Sequence, residues 1–310
     1  MEDKIQKDLM DHKKVSIIIP VYNSARFLEP SLKSLQIQTY ENIEIIIGYR
    51  ESADDSLKII KKFCSSDDRF KLILQKGKGI SNALNACLMN TDTKYVARMD
   101  ADDIAVQSRI EQLHNYISTH DLDVVGSNYE LMDDEGNFMR TVDTPTNPGS
   151  LHLLLSLCPC FAHPSIMFDF QKMKSLDILY NEDPDVLAED YDLLVRFYKE
   201  GFKFGSVNQS LLKYRVLTDS LTRKNECKVT RHAAKISSEF IKSNCTYLKQ
   251  FLNRRPDKYN RTELSNCYRL LFRMLFRHRI VSGYKLFRIT NYNEILKSLL
   301  TELNILRKMI

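Results

Sequence analysis

The sequence predicts an α/β fold: a doubly wound, mostly parallel sheet with a mixed extension, followed by a helical C-terminal region. Short β-branched runs alternate with helix-period segments from Val15 onward, the early runs are apolar enough to be buried on both faces of a sheet, and beyond about Cys227 the pattern is almost purely helical and basic. Val15–Ile19 is the first strand, with Pro20 expected to end it. Glu29–Gln38 reads as a helix, with Pro30 in its first turn and Leu28, Leu32 and Leu35 as the inward stripe. Ile43–Ile47 is the second strand, Asp54–Phe63 a helix, Phe70–Leu74 the third strand, Ile80–Met89 a helix and Tyr95–Met99 the fourth strand. Repeated crossovers of this kind wind right-handed and gather ligands beyond the carboxyl ends of the strands.

After Arg109 the rhythm changes. A helix to about Thr119 leads to a strand near Val124, then a hairpin over Asn128–Val142 whose turn is Asp133-Asp134-Glu135-Gly136-Asn137. Glu189–Glu200 is helical, with Leu193, Leu194 and Phe197 on one face, and Lys203–Gly205 and Leu211–Arg215 read as two short strands. A boundary near residue 225 separates 1–225 from a basic extension, 226–310.

Length and composition narrow the function. A 310-residue chain with 43% hydrophobic and 27% charged residues is an ordinary globular protein, which excludes wholesale disorder and multi-span membrane architectures. The net charge of +5 hides an asymmetry: residues 221–310 hold 20 Lys+Arg against 6 Asp+Glu, +14, and the other 220 residues carry −9. Seven cysteines without Cys-x-x-Cys spacing point to reduced thiols in the cytosol, and Cys158-Pro159-Cys160 lies in an apolar context that suits inert thiols. The polar start, MEDKIQKDLMDHKK, is unlike a secretory signal, and no apolar run reaches a membrane span, so the expected location is cytoplasmic, or peripheral on the inner face of the cell membrane.

Asp100, Asp102 and Asp103 crowd three carboxylates into four residues directly after the fourth strand. Such anions repel unless a cation neutralises them, and oxygen-only ligands favour Mg²⁺ or Mn²⁺, which keep positions for water and phosphate. The bland alternative is a solvated turn or helix cap. Glu189-Asp190-Tyr191-Asp192 is a second acidic group at a helix start; it reads equally as dipole-favoured capping or as a proton acceptor. Lys76-Gly77-Lys78-Gly79-Ile80-Ser81-Asn82 superficially matches a dinucleotide fingerprint, but Asn82 replaces the third glycine and the segment follows the third strand, not the first.

Six ordered segments, VSIIIPVYNSARFLEPSLKSLQIQTYENIEIII, GISNALNACL, YVARMDADD, HPSIMF, AEDYDLLVRF and LLKYR, together resemble the family 2 glycosyltransferases of the GT-A fold over roughly residues 15–220. The resemblance implies an inverting transferase using a nucleotide-diphosphate sugar, with a UDP-sugar as the expected donor. By the same resemblance Pro20, Tyr22 and Asn23 match the loop that touches base and ribose, and Gly79 and Asn85 the segment beside the nucleotide. Asp100 and Asp102 match the Asp-x-Asp pair, with Asp102 as direct ligand of Mn²⁺ or Mg²⁺ and Asp100 nearer the ribose; Asp190 matches the catalytic base. His163 is placed near the acceptor or diphosphate, with a hydrogen-bonded structural role as its alternative, and Glu189 belongs with it as a possible contact.

Two positions depart from the family. Where many members carry Asp-Asp-Gly-Ser, this chain has Gly48-Tyr49-Arg50-Glu51-Ser52; Arg50 has only donors and cannot accept a uracil N3 proton, so either Glu51 substitutes or the donor base is held differently, and UDP is a preference and not a deduction. Leu217 stands where a metal-binding His often follows Tyr214-Arg215-Val216.

In the basic extension Arg269, Arg273 and Arg277 recur beside Leu271, Phe272, Leu275 and Phe276, with His278 and Arg279 following, a pattern suited to an anionic membrane surface or to a helix packed on the protein with its cations in solvent. No nucleic-acid module is evident, so nucleic acid is not an expected partner. The reading is transfer of a hexosyl or N-acetylhexosaminyl group to a glycan or lipid-linked acceptor in bacterial surface polysaccharide synthesis. A non-catalytic sugar-nucleotide-binding scaffold and a nucleotidyltransferase are the alternatives.

Overall fold

The computed structural model describes residues 14–183, 186–217, 225–252, 261–278, 297–303 and 305. The polar residues 1–13 therefore lie outside the description, as do Arg279 and the side chains of Leu275, Phe276, Arg277 and His278. The chain divides into two compact units: one takes the chain up to Thr146, Phe161–Glu189 and Phe197–Thr218; the other takes Asn147–Cys160, Asp190–Arg196 and the chain from Asp219 onward. Sequence patterning sees one boundary near residue 225, and the contacts add two earlier excursions to the later unit.

The first unit is built on one sheet of β1 (Val15–Val21), β2 (Ile43–Tyr49), β3 (Phe70–Leu74), β4 (Tyr95–Arg98), β5 (Ile104–Ala105), β6 (Val124–Met132), β7 (Phe138–Val142), β8 (Met167–Asp169) and β9 (Phe204–Arg215). The order is β3-β2-β1-β4-β8-β6-β9-β5, with β7 paired to β6. β1, β2, β3 and β4 run parallel to one another, whereas β8 runs antiparallel to β4 and β6, which makes the predicted mixed extension. The helices are α1 (Ala25–Gln36), α2 (Ser56–Ser66), α3 (Ile80–Leu88), α4 (Arg109–Thr119), α6 (Phe170–Ser175) and the outer parts of α7 (Glu189–Lys199). Ile17, Ile19, Ile45 and Ile47 meet Leu28, Leu32 and Leu35 of α1 and Ile110 and Leu113 of α4 in the main core. On the other face α3 comes so close to β2 that a Cβ on Gly48 would lie 2.7 Å from the Ala83 carbonyl oxygen and 2.8 Å from Cys87 Sγ.

Several elements differ from expectation for identifiable reasons. β1 continues through Pro20 to Val21, because β4 pairs no further than Ile18 and the donor that proline lacks faces beyond the end of β4. α1 begins at Ala25, four residues early, since the Asp54 carboxylate accepts the Ala25 N–H at 2.8 Å and Ser56 Oγ accepts the Ser24 N–H at 3.0 Å. Pro30 consequently sits inside the helix instead of in its first turn. The two short strands near residues 203–215 are one strand, β9, whose register against β6 shifts at Ser127–Tyr129. Strands β5 and β8 and helix α6 are too short for a periodicity signal.

A polar cluster is built into the amino-terminal side of the sheet. Glu44 accepts from Ser16 (2.6 Å), Lys71 (2.6 Å) and Thr91 (2.9 Å), with Lys14 at 3.2 Å. Burial alone raises the Glu44 pKa, but these donors and cations outweigh it and bring it down to about 2. Relative to the ordinary value of 4.5, the shift corresponds to stability on the order of 3 kcal/mol. The sign follows from proton uptake by the unfolded chain: this contribution is complete above about pH 4.5 and is lost as pH falls toward about 2. Glu44→Gln is expected to flatten the acid limb of the melting temperature between those pH values; an unchanged limb would remove Glu44 as its cause.

In the second unit α5 (Pro148–Leu155) starts from Asn147, whose side chain accepts from the Gly149 and Ser150 N–H groups with Pro148 at the first helical position. α8 (Glu226–Ser243), α9 (Cys245–Leu252) and α10 (Arg261–His278) pack around Leu153, Ile241, Leu248, Phe251, Cys267, Tyr268 and Phe272. The described arginines of α10, Arg269 and Arg273, turn to a partner inside the unit. Arg273 is only 2% exposed: it pairs with both Glu302 carboxylate oxygens (2.8 and 2.9 Å) and donates to the Leu157 carbonyl and Ser237 Oγ, both at 2.7 Å. Arg269 also reaches Glu302, at 3.2 Å. A buried guanidinium demands such partners, and Glu302 lies 29 residues away in sequence, beyond any periodicity argument. Leu271 and Phe272 are buried as well, so these two residues of the face expected to meet lipid belong to the unit's own core.

Candidate active site

The loops after β1 and β2 are stitched together. Asn23 adopts a left-handed conformation (φ 49°), its N–H donates to Ser52 Oγ at 2.9 Å, and its Oδ1 accepts the Ala53 N–H at 3.2 Å. Ser52 in turn donates its N–H to the Tyr49 hydroxyl at 3.0 Å and its hydroxyl to the Arg50 carbonyl at 2.9 Å. The Arg50 guanidinium stacks 4.6 Å from the centre of the Tyr22 ring, which is 47% exposed. Pro20, Tyr22, Asn23, Arg50 and Glu51 thus share one edge of the first unit, at the carboxyl ends of parallel strands.

The acidic loop follows β4, next to β1. Buried Arg98 grips Asp100 through both guanidinium ends, at 2.7 and 2.6 Å. Burial and the neighbouring Asp100 charge push the Asp102 carboxyl up to about 6. Asp103 is 1% exposed and is raised well above the ordinary value by burial, then by Asp100 and Asp102; its Oδ1 accepts the Arg215 N–H at 2.9 Å, while Oδ2 has no partner among the described residues. Arg109, fully buried, donates to the Arg98 and Pro164 carbonyls at 2.7 Å each. Burial and the nearby Arg98 bring its guanidinium down to about 10 despite Asp103.

Among the described residues Asp102 forms no ion pair of its own, and its half-buried carboxylate fits Mg²⁺ or Mn²⁺. Among the described residues no three His, Cys, Asp or Glu side chains converge on a metal position. A hard ion held here would use one or two carboxylates and complete its shell with phosphate oxygens and water. Asp102 is the better placed ligand, because Asp100 is already committed to Arg98. Leu217 supplies no ligand atom.

Gly79, at φ 94°, turns the chain into α3, and Gln75 Nε2 holds the turn through the Gly77 and Gly79 carbonyls at 3.0 and 2.8 Å. Asn85 is 2% exposed. Its amide donates to the Tyr180 carbonyl (2.9 Å) and Glu182 Oε1 (2.8 Å) and accepts the Tyr180 N–H (2.9 Å), so it anchors the 180–182 segment. His163 is buried with its Nε2 2.9 Å from the Tyr180 hydroxyl, and burial followed by the Arg98 charge holds it well below its usual pKa, hence neutral. The structure thus gives Asn85 and His163 hydrogen-bonding work on Tyr180.

Glu189 and Asp190 begin α7. The Asp190 carboxylate accepts the Tyr191 N–H at 2.7 Å, and the buried Tyr191 hydroxyl donates to the Leu155 carbonyl at 2.6 Å, fixing the helix start within the second unit. Cys158 and Cys160 are free thiols raised by burial, as inert cysteines are. Arg98, Arg109, Arg215 and Tyr180 escaped the sequence reading. Arg98 alone left a signal: a charge inside the apolar run Tyr95–Met99 needs a partner.

Residues 16–177 match the family described as Glycosyl transferase family 2. EpsE of Bacillus subtilis (strain 168) is 31% identical over 216 residues, 68% of this chain and 76% of that protein. The O-antigen biosynthesis glycosyltransferase WbnJ of Escherichia coli is 29% identical over 234 residues, 74% of this chain and 89% of WbnJ. Among solved structures, S. aureus TarS 1-349 in complex with UDP-GlcNAc superposes with a TM-score of 0.56 at 17% identity, covering 94% of this chain and 81% of that one. A longer TarS chain gives 0.58 at 17% identity, covering 92% of this chain and 54% of that one. At that identity the TarS likeness is one of fold.

Proposed function

Because this chain belongs to glycosyl transferase family 2, we propose that it is an inverting, metal-dependent enzyme moving a sugar from a UDP-sugar to a hydroxyl of a glycan or lipid-linked acceptor in bacterial surface polysaccharide synthesis. The observation that carries this is the acidic loop with Asp102, which forms no ion pair among the described residues, at the same strand ends as the stitched Tyr22–Asn23 and Arg50–Ala53 loops. WbnJ, described by O-antigen biosynthesis, and TarS, seen with UDP-GlcNAc, support the setting and an N-acetylhexosaminyl or hexosyl donor.

In this reading Tyr22, Asn23 and Glu51 contact the base and ribose, with Pro20 and Gly79 shaping the turns beside them. Arg98 orients Asp100 toward the ribose, Asp102 holds Mn²⁺ or Mg²⁺, and Asn85 and His163 act through Tyr180. A bound divalent ion stabilises the charge of the departing diphosphate. Asp190 takes the proton of the acceptor hydroxyl, with Glu189 as an acceptor contact; a single in-line displacement needs no covalent nucleophile. The transferase domain spans 1–225, and 226–310 forms the basic extension. Among the described residues no helix is long and apolar enough to cross a membrane. Peripheral residence on the inner face of the cell membrane would rest on the overall charge of the extension, not on the α10 stripe.

The test is a donor panel: UDP-, GDP- and dTDP-sugars with Mn²⁺, followed by the nucleotide product. UDP released from a UDP-sugar is expected. Pyrophosphate release from UTP and a sugar 1-phosphate, run beside the panel, would make the chain a nucleotidyltransferase, and binding without any turnover in the presence of acceptor glycans would leave it a scaffold.

A further inference from the structure

Arg215 closes β9 and joins three parts of the first unit. Its main-chain N–H donates to Asp103 Oδ1 at 2.9 Å, and its Nε donates to the Asp102 carbonyl at 3.0 Å. Nη1 bridges the Asp133 and Asp134 carbonyls at the β6–β7 turn, both at 3.0 Å, while the guanidinium face lies 4.4 Å from the centre of the Phe27 ring on α1. The peptide between Asp102 and Asp103 is therefore held on both sides by one residue: by its carbonyl and by the carboxylate that follows. A planar fork with donors in fixed directions can do this, whereas a point-charge ammonium cannot serve Nε and Nη1 partners together.

We propose that Arg215 is a positioning residue that fixes the Asp102–Asp103 peptide and so aims the Asp102 carboxylate at the cation and diphosphate. The inference rests on the metal-dependent reading of Asp102 given above. It goes beyond that reading by placing control of the acidic loop on β9, 112 residues downstream of Asp103. The positive charge also offsets the repulsion of three neighbouring carboxylates, but charge alone would be kept by a lysine, and the fork would not.

Two measurements test it on the full chain with Arg215→Lys and Arg215→Met. Free Mn²⁺ counted by electron paramagnetic resonance in the presence of UDP should show binding at least tenfold weaker in Arg215→Lys and weaker still in Arg215→Met. In the metal-free protein, hydrogen exchange over residues 99–106 should quicken at least tenfold, with β1–β3 unchanged. If Arg215→Met does not fold, Arg215→Lys decides, and Phe27→Leu, which leaves every Arg215 hydrogen bond but removes its stacking face, should give a smaller loss in both readouts. Wild-type Mn²⁺ affinity and exchange in Arg215→Lys would overturn the proposal. Absence of Mn²⁺ binding by the wild-type protein with UDP would instead overturn the metal reading, leaving the exchange data to judge the hold of Arg215 on its loop.

Discussion

Asp102→Ala is expected to weaken Mn²⁺-dependent UDP binding at least about a hundredfold, or roughly 2.7 kcal/mol, and to remove turnover with it. The size follows from how few alternatives the site has. Asp100 is held by both ends of the Arg98 guanidinium, Asp103 faces inward with one oxygen on the Arg215 N–H, and position 217 is leucine. Removing Asp102 leaves no carboxylate that is both outside an ion pair and half-exposed in the loop. The same carboxylate gives the binding a pH signature. With its metal-free pKa at about 6, raised by burial and by Asp100, a proton competes with the cation below that pH. Affinity for Mn²⁺ should therefore be flat above about pH 7 and fall by up to tenfold per unit below about 6. Calorimetric titration of UDP with Mn²⁺ at several pH values reads both effects; an unaltered isotherm in Asp102→Ala would take the metal away from this loop.

What could be read in the sequence and what could not divide along a physical line. Buried parallel strands announce themselves locally, because β1 and β2 are apolar on both faces, and the crowding of Asp100, Asp102 and Asp103 is visible in four consecutive letters. The long basic side chains that tie each unit together find partners far along the chain: Arg109 reaches the Pro164 carbonyl, Arg215 the Asp102 and Asp133 carbonyls, and Arg273 the Glu302 carboxylate. A charged residue on a helix or at a strand end carries no mark that says whether it meets water or a distant carbonyl, so α10 read as a surface stripe although Arg273 is buried. Arg50 was recognisable as unable to accept a base proton, but its stacking on Tyr22 depends on two loops tied together through Asn23 and Ser52. α1 starts ahead of its expected first residue for the same reason, since its first N–H is satisfied by Asp54 from a later loop.

Asp190→Asn should lower the rate of sugar transfer by roughly 10²–10⁴-fold, the range lost with a general base, while leaving Mn²⁺–UDP binding and the melting temperature where they are. Asparagine is the informative replacement because the two readings of Asp190 part over it. As a helix-start residue, Asp190 accepts the Tyr191 N–H at 2.7 Å, and an Asn side chain keeps an accepting oxygen there. As a base it must take a proton from an alcohol, which a neutral amide cannot do. Alanine would remove both functions at once and decide nothing. The buried Tyr191 hydroxyl on the Leu155 carbonyl keeps the start of α7 in place in either variant, so lost turnover in Asp190→Asn would not come from a frayed helix. Full turnover by Asp190→Asn, with Glu189→Gln silent as well, would reduce the acidic start of α7 to capping and require the acceptor proton to leave by another route.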